Sequence, residues 1–137
     1  MLRKILFTII LIFITVENSI GQEKILEKAN SKYEEYSFSP AIDIYKKVLD
    51  KGFVSSDLLK KLGNSYYFNA NYKDASLIYN RLVKEYESDV TADYYFRYAQ
   101  TLRSLGEYDK ADNLMKKFSE MTSFDTRAIS FNADRNY

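Results

Sequence analysis

The chain has 137 residues, of which 20 are basic and 19 are acidic, and it contains neither histidine nor cysteine. The missing residue types exclude disulfide bonds, thiol chemistry, the usual general base and the common zinc ligands. A formal net charge of +1 gives the surface no general attraction for nucleic acid or for anionic lipid.

Residues 1–21 have the layout of a cleavable secretory signal peptide. Arg3 and Lys4 form a short basic end, residues 5–16 are an apolar run, and small residues precede the expected cut. The run is shorter than the roughly 18 to 20 residues that span a bilayer, so cleavage is favoured over a retained anchor. A lipoprotein is disfavoured because acylation needs a cysteine at the cut. We therefore expect an exported protein, periplasmic or associated with the outer membrane, whose mature chain does not insert into the membrane.

A first pair of helices is predicted over residues 22–55. Apolar residues recur at spacings of three and four along its first helix: Ile25, Leu26, Ala29 and Tyr33. Its second helix is predicted from Pro40, which is tolerated in a first turn, to Asp50. Gly52 then provides a C-terminal cap.

Two further helical pairs are predicted over residues 56–91 and 92–122. Ser55, Ser56 and Asp57 are N-cap candidates for the second pair, whose partner helix is expected to begin at Lys73. After the third pair, residues 123–131 have apolar positions at 124, 128 and 131, as expected of a helix that caps the last pair. Residues 132–137 are predicted to begin a linker or tail.

The three pairs repeat one pattern. Counted from Gln22, Ser56 and Ala92, position 8 is alanine or glycine in every pair. Position 20 is always alanine, at intervals of 34 and 36 residues (75 − 41 and 111 − 75): Ala41, Ala75 and Ala111. Because positions 8 and 20 face each other where two helices cross, larger side chains would push the helices apart. Large residues at position 24 fill the surrounding space: Tyr45, Tyr79 and Met115.

This period and pattern resemble the tetratricopeptide repeat (TPR) family. The resemblance implies an all-α solenoid of TPR-type helical hairpins, with three repeats and a C-terminal capping helix after the cleavable signal peptide. The predicted TPR domain spans residues 22–131. Two features depart from the family pattern, since the proline near position 32 is missing and only the third pair has a glycine, Gly106, at its turn.

A narrower resemblance rests on the leader, on repeat residues 61–68 and 94–102, and on the sequence Asp125-Thr126-Arg127-Ala128. Together they are similar to the N-terminal part of exported OmpA-family envelope proteins of Bacteroidetes-type bacteria. In that family the repeats precede a propeller-like region and a peptidoglycan-binding domain, and some members belong to type IX secretion and gliding machinery. The resemblance implies a protein partner in the cell envelope. Any association with peptidoglycan would need a domain that this chain does not contain.

An enzyme is not expected. Paired carboxylates occur, such as Glu34 with Glu35 and Glu85 with Glu87, but the pattern places them on solvent faces or helix ends. None of the four glycines belongs to a phosphate-binding loop. The sequence therefore predicts no catalytic residue, no cofactor and no metal site.

The TPR resemblance implies a concave groove lined by positions 2, 5, 9, 12 and 13 of each first helix. A carboxamide recurs at position 9, where it can bond the backbone of an extended peptide, and nearby aromatic side chains can hold its apolar side chains. The candidate peptide-binding residues are Asn30, Tyr33, Lys60, Asn64, Tyr67, Phe68, Phe96, Gln100 and Arg103.

Two alternatives remain open for this groove. The amides can instead satisfy the surfaces of neighbouring helices. Lys60 and Asn64 also match part of the family's carboxylate clamp, but Arg97 stands where the clamp needs an asparagine.

Two functions are consistent with these features. The first is a non-enzymatic interaction scaffold of the cell envelope that binds a peptide segment of a partner in the groove. The second is a structural spacer that positions a downstream domain and has no ligand of its own.

Overall fold

The computed structural model describes residues 1, 2, 4 and 21–133. Residues 21–133 form six α-helices and one short 3-10 helix, and they contain no strand. The α-helices are α1 (21–34), α2 (Phe38–Asp50), α3 (Ser56–Phe68), α4 (Tyr72–Glu85), α5 (Ala92–Ser104) and α6 (Tyr108–Ala133). The predicted all-α class and the three helical pairs are confirmed. The 3-10 helix, Glu87–Asp89, lies in the polar loop between the second and third pairs.

The chain forms two compact units, Met1–Val54 and Ser55–Tyr137. The first contains α1 and α2, with Ala29 and Ala41 fully buried. The second contains α3 to α6, in which α3 packs on α4, α4 on α5, and α5 on α6. The division lies next to the predicted boundary between the first and second repeats.

The small residues predicted at the helix crossings are buried. Ala75 and Ala111 have no exposed surface, and Ala99 is equally buried. A methyl group added to Gly63 would lie 2.7 Å from Cε1 of the Tyr79 ring. The crossing of α3 and α4 therefore leaves no space for a larger side chain at this position.

The turn inside each helical pair has the same backbone geometry. Tyr36, Ala70 and Gly106 occupy position 15 of their pairs, and all have positive φ angles, of 57°, 57° and 79°. In each turn the next amide donates to the carbonyl five residues earlier at 2.9 Å, as in Ser37 N–H to Lys32 O. Only the third turn uses glycine, so the first two hold a side chain in a conformation that favours glycine.

The N-termini of α3 and α4 are each capped by a polar side chain. The hydroxyl of Ser55 accepts from the Leu58 amide at 3.2 Å, which confirms Ser55 as the N-cap of α3. Asn71 caps α4 in the same way, accepting from the Asp74 amide at 3.3 Å. Each cap satisfies a backbone donor that the first helical turn leaves without an intrahelical partner.

The predicted break before a separate capping helix is wrong. Helix α6 runs without interruption from Tyr108 to Ala133, so residues 123–131 continue the second helix of the third pair, and the helix extends into the predicted linker. The physical reason is local, because no glycine or proline occurs between residues 108 and 133 to end the helix.

The predicted signal peptide lies almost entirely outside the described residues and stays a prediction. Among the described residues, no helix has the length and apolar character needed to cross a membrane.

Candidate peptide-binding site

In the first unit, two candidate residues contact their own helical pair. The amide oxygen of Asn30 accepts a hydrogen bond of 2.8 Å from the Tyr45 hydroxyl. The Tyr33 ring packs edge-on against Phe38, with centroids 5.9 Å apart. Asn30 also borders a surface depression whose other lining residues are Glu23, Lys24 and Glu27.

In the second unit, three candidate residues share one face of α3. Lys60, Asn64 and Phe68 are spaced four residues apart, which aligns their side chains along the helix. The face is turned toward the first half of α5. The Lys60 ammonium lies 5.5 Å from the centre of the Tyr94 ring, within cation–π range.

Asn64 is a buried member of this face, with 3% of its surface exposed. Its amide oxygen accepts from the Tyr79 hydroxyl at 2.8 Å and from the Arg97 guanidinium at 3.4 Å. The oxygen is therefore engaged inside the protein, as the alternative interpretation of the amides expected. Asn64 links α3 to both α4 and α5.

Arg97 connects the components of the site, although the sequence interpretation did not select it. Its guanidinium lies 5.8 Å from the centre of the Phe68 ring and 5.3 Å from that of Tyr94, and it donates to Asp93 at 2.7 Å. The sequence feature that could have identified Arg97 is its repeat position. Arg97 is position 6 of the third repeat, and it meets Asn64, which is position 9 of the second repeat. Tyr94 stands at position 3 of the third repeat, which is not among the groove positions that the TPR resemblance implies.

We call Lys60, Phe68, Tyr94 and Arg97 the cation–aromatic cluster. It presents two cations and two aromatic rings on α3 and α5. Phe68 is 50% exposed, so half of its surface is open to a ligand. Such a combination can bury apolar side chains of a bound peptide while the cations attract its carboxylates.

Asp93 moderates the positive charge of this cluster. Partial burial would raise the pKa of its carboxyl, but the hydrogen bond from Thr91 and the charge and hydrogen bond of Arg97 lower it below the ordinary value. Asp93 is therefore ionised at neutral pH and holds the guanidinium in place.

Of the other candidates in the second unit, Tyr67 adjoins the cation–aromatic cluster. Its ring contacts those of Phe68, a member of the cluster, and of Tyr72. Phe96 instead packs against Phe118 of α6, with centroids 5.4 Å apart. The remaining two are Gln100, which is half-buried on α5, and Arg103, which pairs with Asp112 of α6 at 3.0 Å. Within the second unit, Phe96 and Arg103 thus contact α6, whereas Lys60 and Phe68 contact α5.

Within the described part of the chain, no group of acidic side chains is arranged to hold a metal ion. The site combines two cations and two aromatic rings with the Asn64 amide and the Asp93 carboxylate.

Solved structures share this arrangement of helices. The C-terminal part of a TPR repeat-containing protein from Cytophaga hutchinsonii is similar with a TM-score of 0.66 at 15% identity, over 72% of this chain and 39% of that one. A structure of PcrH in complex with the chaperone binding region of PopB has a TM-score of 0.63 at 14% identity, over 75% of this chain and 82% of that one. The fold is that of tetratricopeptide repeats.

The TPR fold confirms the predicted helical-hairpin architecture. No protein-family model matches the chain, and no curated protein matches it by sequence. This chain spans less than half of the Cytophaga TPR structure. The resemblance to OmpA-family envelope proteins stays a prediction.

Proposed function

We propose that the chain is a non-enzymatic protein-interaction module that binds a peptide segment of a partner protein across α3 and α5. The observation that carries this proposal is the cation–aromatic cluster, in which a half-exposed Phe68 ring stands beside Arg97. Aromatic and arginine side chains contribute most to protein–protein binding energy. The complex of PcrH with the chaperone binding region of PopB supports the use of this fold for such binding.

The four residues of the cluster have different roles in this proposal. Phe68 buries its open face against an apolar side chain of the peptide. Lys60 attracts a carboxylate of the peptide through its ammonium, which lies over the Tyr94 ring. Arg97 stacks on both rings and holds them in position. The amide oxygen of Asn64 accepts a hydrogen bond from Arg97 and so helps to hold the guanidinium in position.

The partner belongs to the cell envelope in this proposal. The support is the secretory layout of residues 1–21 and the resemblance to the N-terminal region of OmpA-family proteins, some of which serve type IX secretion and gliding. The mature protein is then periplasmic or associated with the outer membrane. Mass spectrometry of the protein from its native host tests this step, and a mass that includes residues 1–21 would contradict it.

A structural spacer is the second candidate function. It is favoured by the hydrogen bonds that Asn30 and Asn64 form inside their own helical pairs. Two groups proposed for ligand binding already have structural roles.

Site-specific photo-cross-linking in the native host separates the two functions. A photoreactive phenylalanine analogue replaces Phe68 in one strain and Leu77 in a control strain, since Leu77 is 60% exposed on α4 and lies outside the cluster. We expect one discrete adduct from position 68, its loss when Arg97→Ala is added, and no adduct from position 77. Equal labelling at both positions, or none at position 68, would favour the spacer.

A further inference from the structure

The two ends of the cation–aromatic cluster differ in chemistry. The Lys60 ammonium lies at one end, over the Tyr94 ring, and the half-exposed Phe68 ring lies at the other. Arg97 stands between them, because its guanidinium is 5.3 Å from the centre of Tyr94 and 5.8 Å from that of Phe68. A ligand that covers the whole cluster therefore meets a cation at one end and an apolar ring at the other.

The cationic end carries one positive charge in excess. The charged residues of α3 and of the first half of α5 are three cations and two acids. Asp57 pairs with Lys61 at 3.1 Å. Asp93 pairs with Arg97 at 2.7 Å. Lys60 adds a further positive charge beside these two pairs, so a single carboxylate of the ligand is the complement of this end.

The geometry of α3 limits the distance between the two ends. Lys60 and Phe68 are eight residues apart on this helix, which is about 12 Å along its axis. Three successive contacts, of 5.5, 5.3 and 5.8 Å, connect the ammonium to the Phe68 ring through Tyr94 and Arg97. The two groups therefore lie closer together than the roughly 20 Å that six extended residues span.

An extended peptide presents every second side chain to the same surface. Two residues span only about 7 Å, which is too short for the offset between Lys60 and Phe68, whereas four residues span about 13 Å. We infer that the cation–aromatic cluster selects an extended segment in which an acidic residue and a large apolar residue stand four positions apart. This inference rests on the proposed function, because it specifies the chemistry of the peptide that the same surface binds.

Affinity selection from a random peptide library tests this spacing. The random segment is flanked on both sides by constant residues, so that the selected carboxylate has to come from a side chain. We expect enriched sequences to carry Asp or Glu four positions from Leu, Ile, Met or an aromatic residue. Enriched sequences without this spacing would overturn the inference alone. No enrichment at all would also contradict the proposed function.

Variants of the two ends should change the two preferences separately. Lys60→Glu should replace the acidic residue of the selected sequences by a basic one, and Phe68→Ala should remove the apolar preference while keeping the acidic one. Lys60→Gln should remove the acidic preference without adding repulsion, in case the charge reversal impairs folding. Lys84→Glu is the matched control, because Lys84 is exposed on α4 and lies outside the cluster. An acidic preference that survives in both Lys60 variants would contradict the assignment.

A synthetic peptide measures the effect of the spacing on affinity. Moving the acidic residue of the most enriched sequence to two or three positions from the apolar one should weaken binding at least tenfold in fluorescence anisotropy. Equal affinities at all three spacings would overturn the inference.

The photo-cross-linking experiment at position 68 checks the same spacing in the native partner. Tandem mass spectrometry of the adduct identifies the residue that the probe has labelled, and we expect Asp or Glu four positions from it. A discrete adduct without an acidic residue at that distance would refute the inference and leave the proposed function intact.

Discussion

A tyrosine–asparagine hydrogen bond joins the two helices in each of the first two repeats. Tyr45 donates to Asn30 and Tyr79 donates to Asn64, both at 2.8 Å and both across fifteen residues. The third repeat replaces this pair by Met115 and Gln100. The recurring amide at position 9 is therefore coupled to the residue at position 24 within the same repeat.

We expect Tyr79→Phe to lower the free energy of unfolding by about 1–2 kcal/mol, since it removes a donor from the buried oxygen of Asn64. Tyr45→Phe is the matched control and should cost less, because Asn30 is partly exposed and water can replace the lost donor. Urea denaturation measures both. A smaller loss for Tyr79→Phe than for Tyr45→Phe would argue against a structural role for Asn64.

The second turn contains a residue whose backbone conformation is unfavourable. Ala70 has a φ of 57°, where an L-residue with a side chain costs about 1 kcal/mol relative to glycine. We therefore expect Ala70→Gly to raise the free energy of unfolding by about 0.5–1 kcal/mol. Gly106→Ala should lower it by a similar amount, because Gly106 has a φ of 79° at the equivalent position. Thermal melts check the opposite signs.

Helix crossings are the next level of organisation. At the α3–α4 crossing, Gly63 and Ala75 have no side chain beyond a methyl, and the Tyr79 ring occupies the adjacent space. Because the crossing is so densely packed, a larger side chain there would push the two helices apart.

Ala75→Leu should lower the free energy of unfolding by about 1–3 kcal/mol or more, because three extra carbon atoms have no space at a fully buried position. Leu77→Ala, two residues along the same helix but 60% exposed, should change it by no more than about 0.5 kcal/mol. The measurement is the urea midpoint monitored by helical circular dichroism. A parental midpoint for Ala75→Leu would contradict the packing.

The loop between the second and third repeats is tied to α6 by an ion pair. The Lys117 ammonium donates to Glu87 and lies over the Tyr95 ring, 5.1 Å from its centre. The hydrogen bond from Lys117 lowers the pKa of Glu87 below the ordinary 4.5, and the same bond raises the pKa of Lys117 above 10.5.

These shifts predict how the ion pair depends on pH. Because the pKa of Glu87 is lower in the folded protein, its contribution is present above pH 4.5 and is lost as pH falls through the folded value. Because the pKa of Lys117 is raised, its contribution is complete below pH 10.5 and is lost as pH rises through the folded value. Glu87→Gln should therefore lower the urea midpoint slightly at neutral pH and match the parent in acid. A constant difference across the acid range would contradict this.

For the molecule as a whole, binding and stability should respond to different residues. We expect Phe68→Ala to weaken binding of a peptide selected from a random library at least tenfold, which is about 1.4 kcal/mol, without changing the melting temperature. Asn64→Ala should lower the melting temperature as well, because it leaves Tyr79 without its acceptor. Fluorescence anisotropy and thermal melts on the same samples separate the two effects. A lower melting temperature for Phe68→Ala would place that ring in the core instead.

The candidate site was only partly predictable from the sequence. Lys60 and Phe68 were selected from their repeat positions, and the structure places both in the cation–aromatic cluster. In the sequence, Arg97 is only a departure from the carboxylate clamp. Its contacts with Phe68 and Asn64 span 29 and 33 residues, and no local pattern reports which side chains meet over such distances.

Helix caps and helical periodicity can be predicted from the amino-acid sequence because they depend on residues within one or two helical turns, and repeats can be predicted because the same pattern recurs along the chain. The 34- and 36-residue intervals, the alanines at the crossings and the Ser55 cap all predicted helical pairs that the structure contains. The tertiary structure alone decided which partner each side chain has. It assigned Asn64 to Tyr79 and Arg97, turned Phe96 toward Phe118, and joined residues 123–131 to α6. These outcomes depend on competition among packing surfaces that are distant in sequence, whereas periodicity describes only one helix at a time.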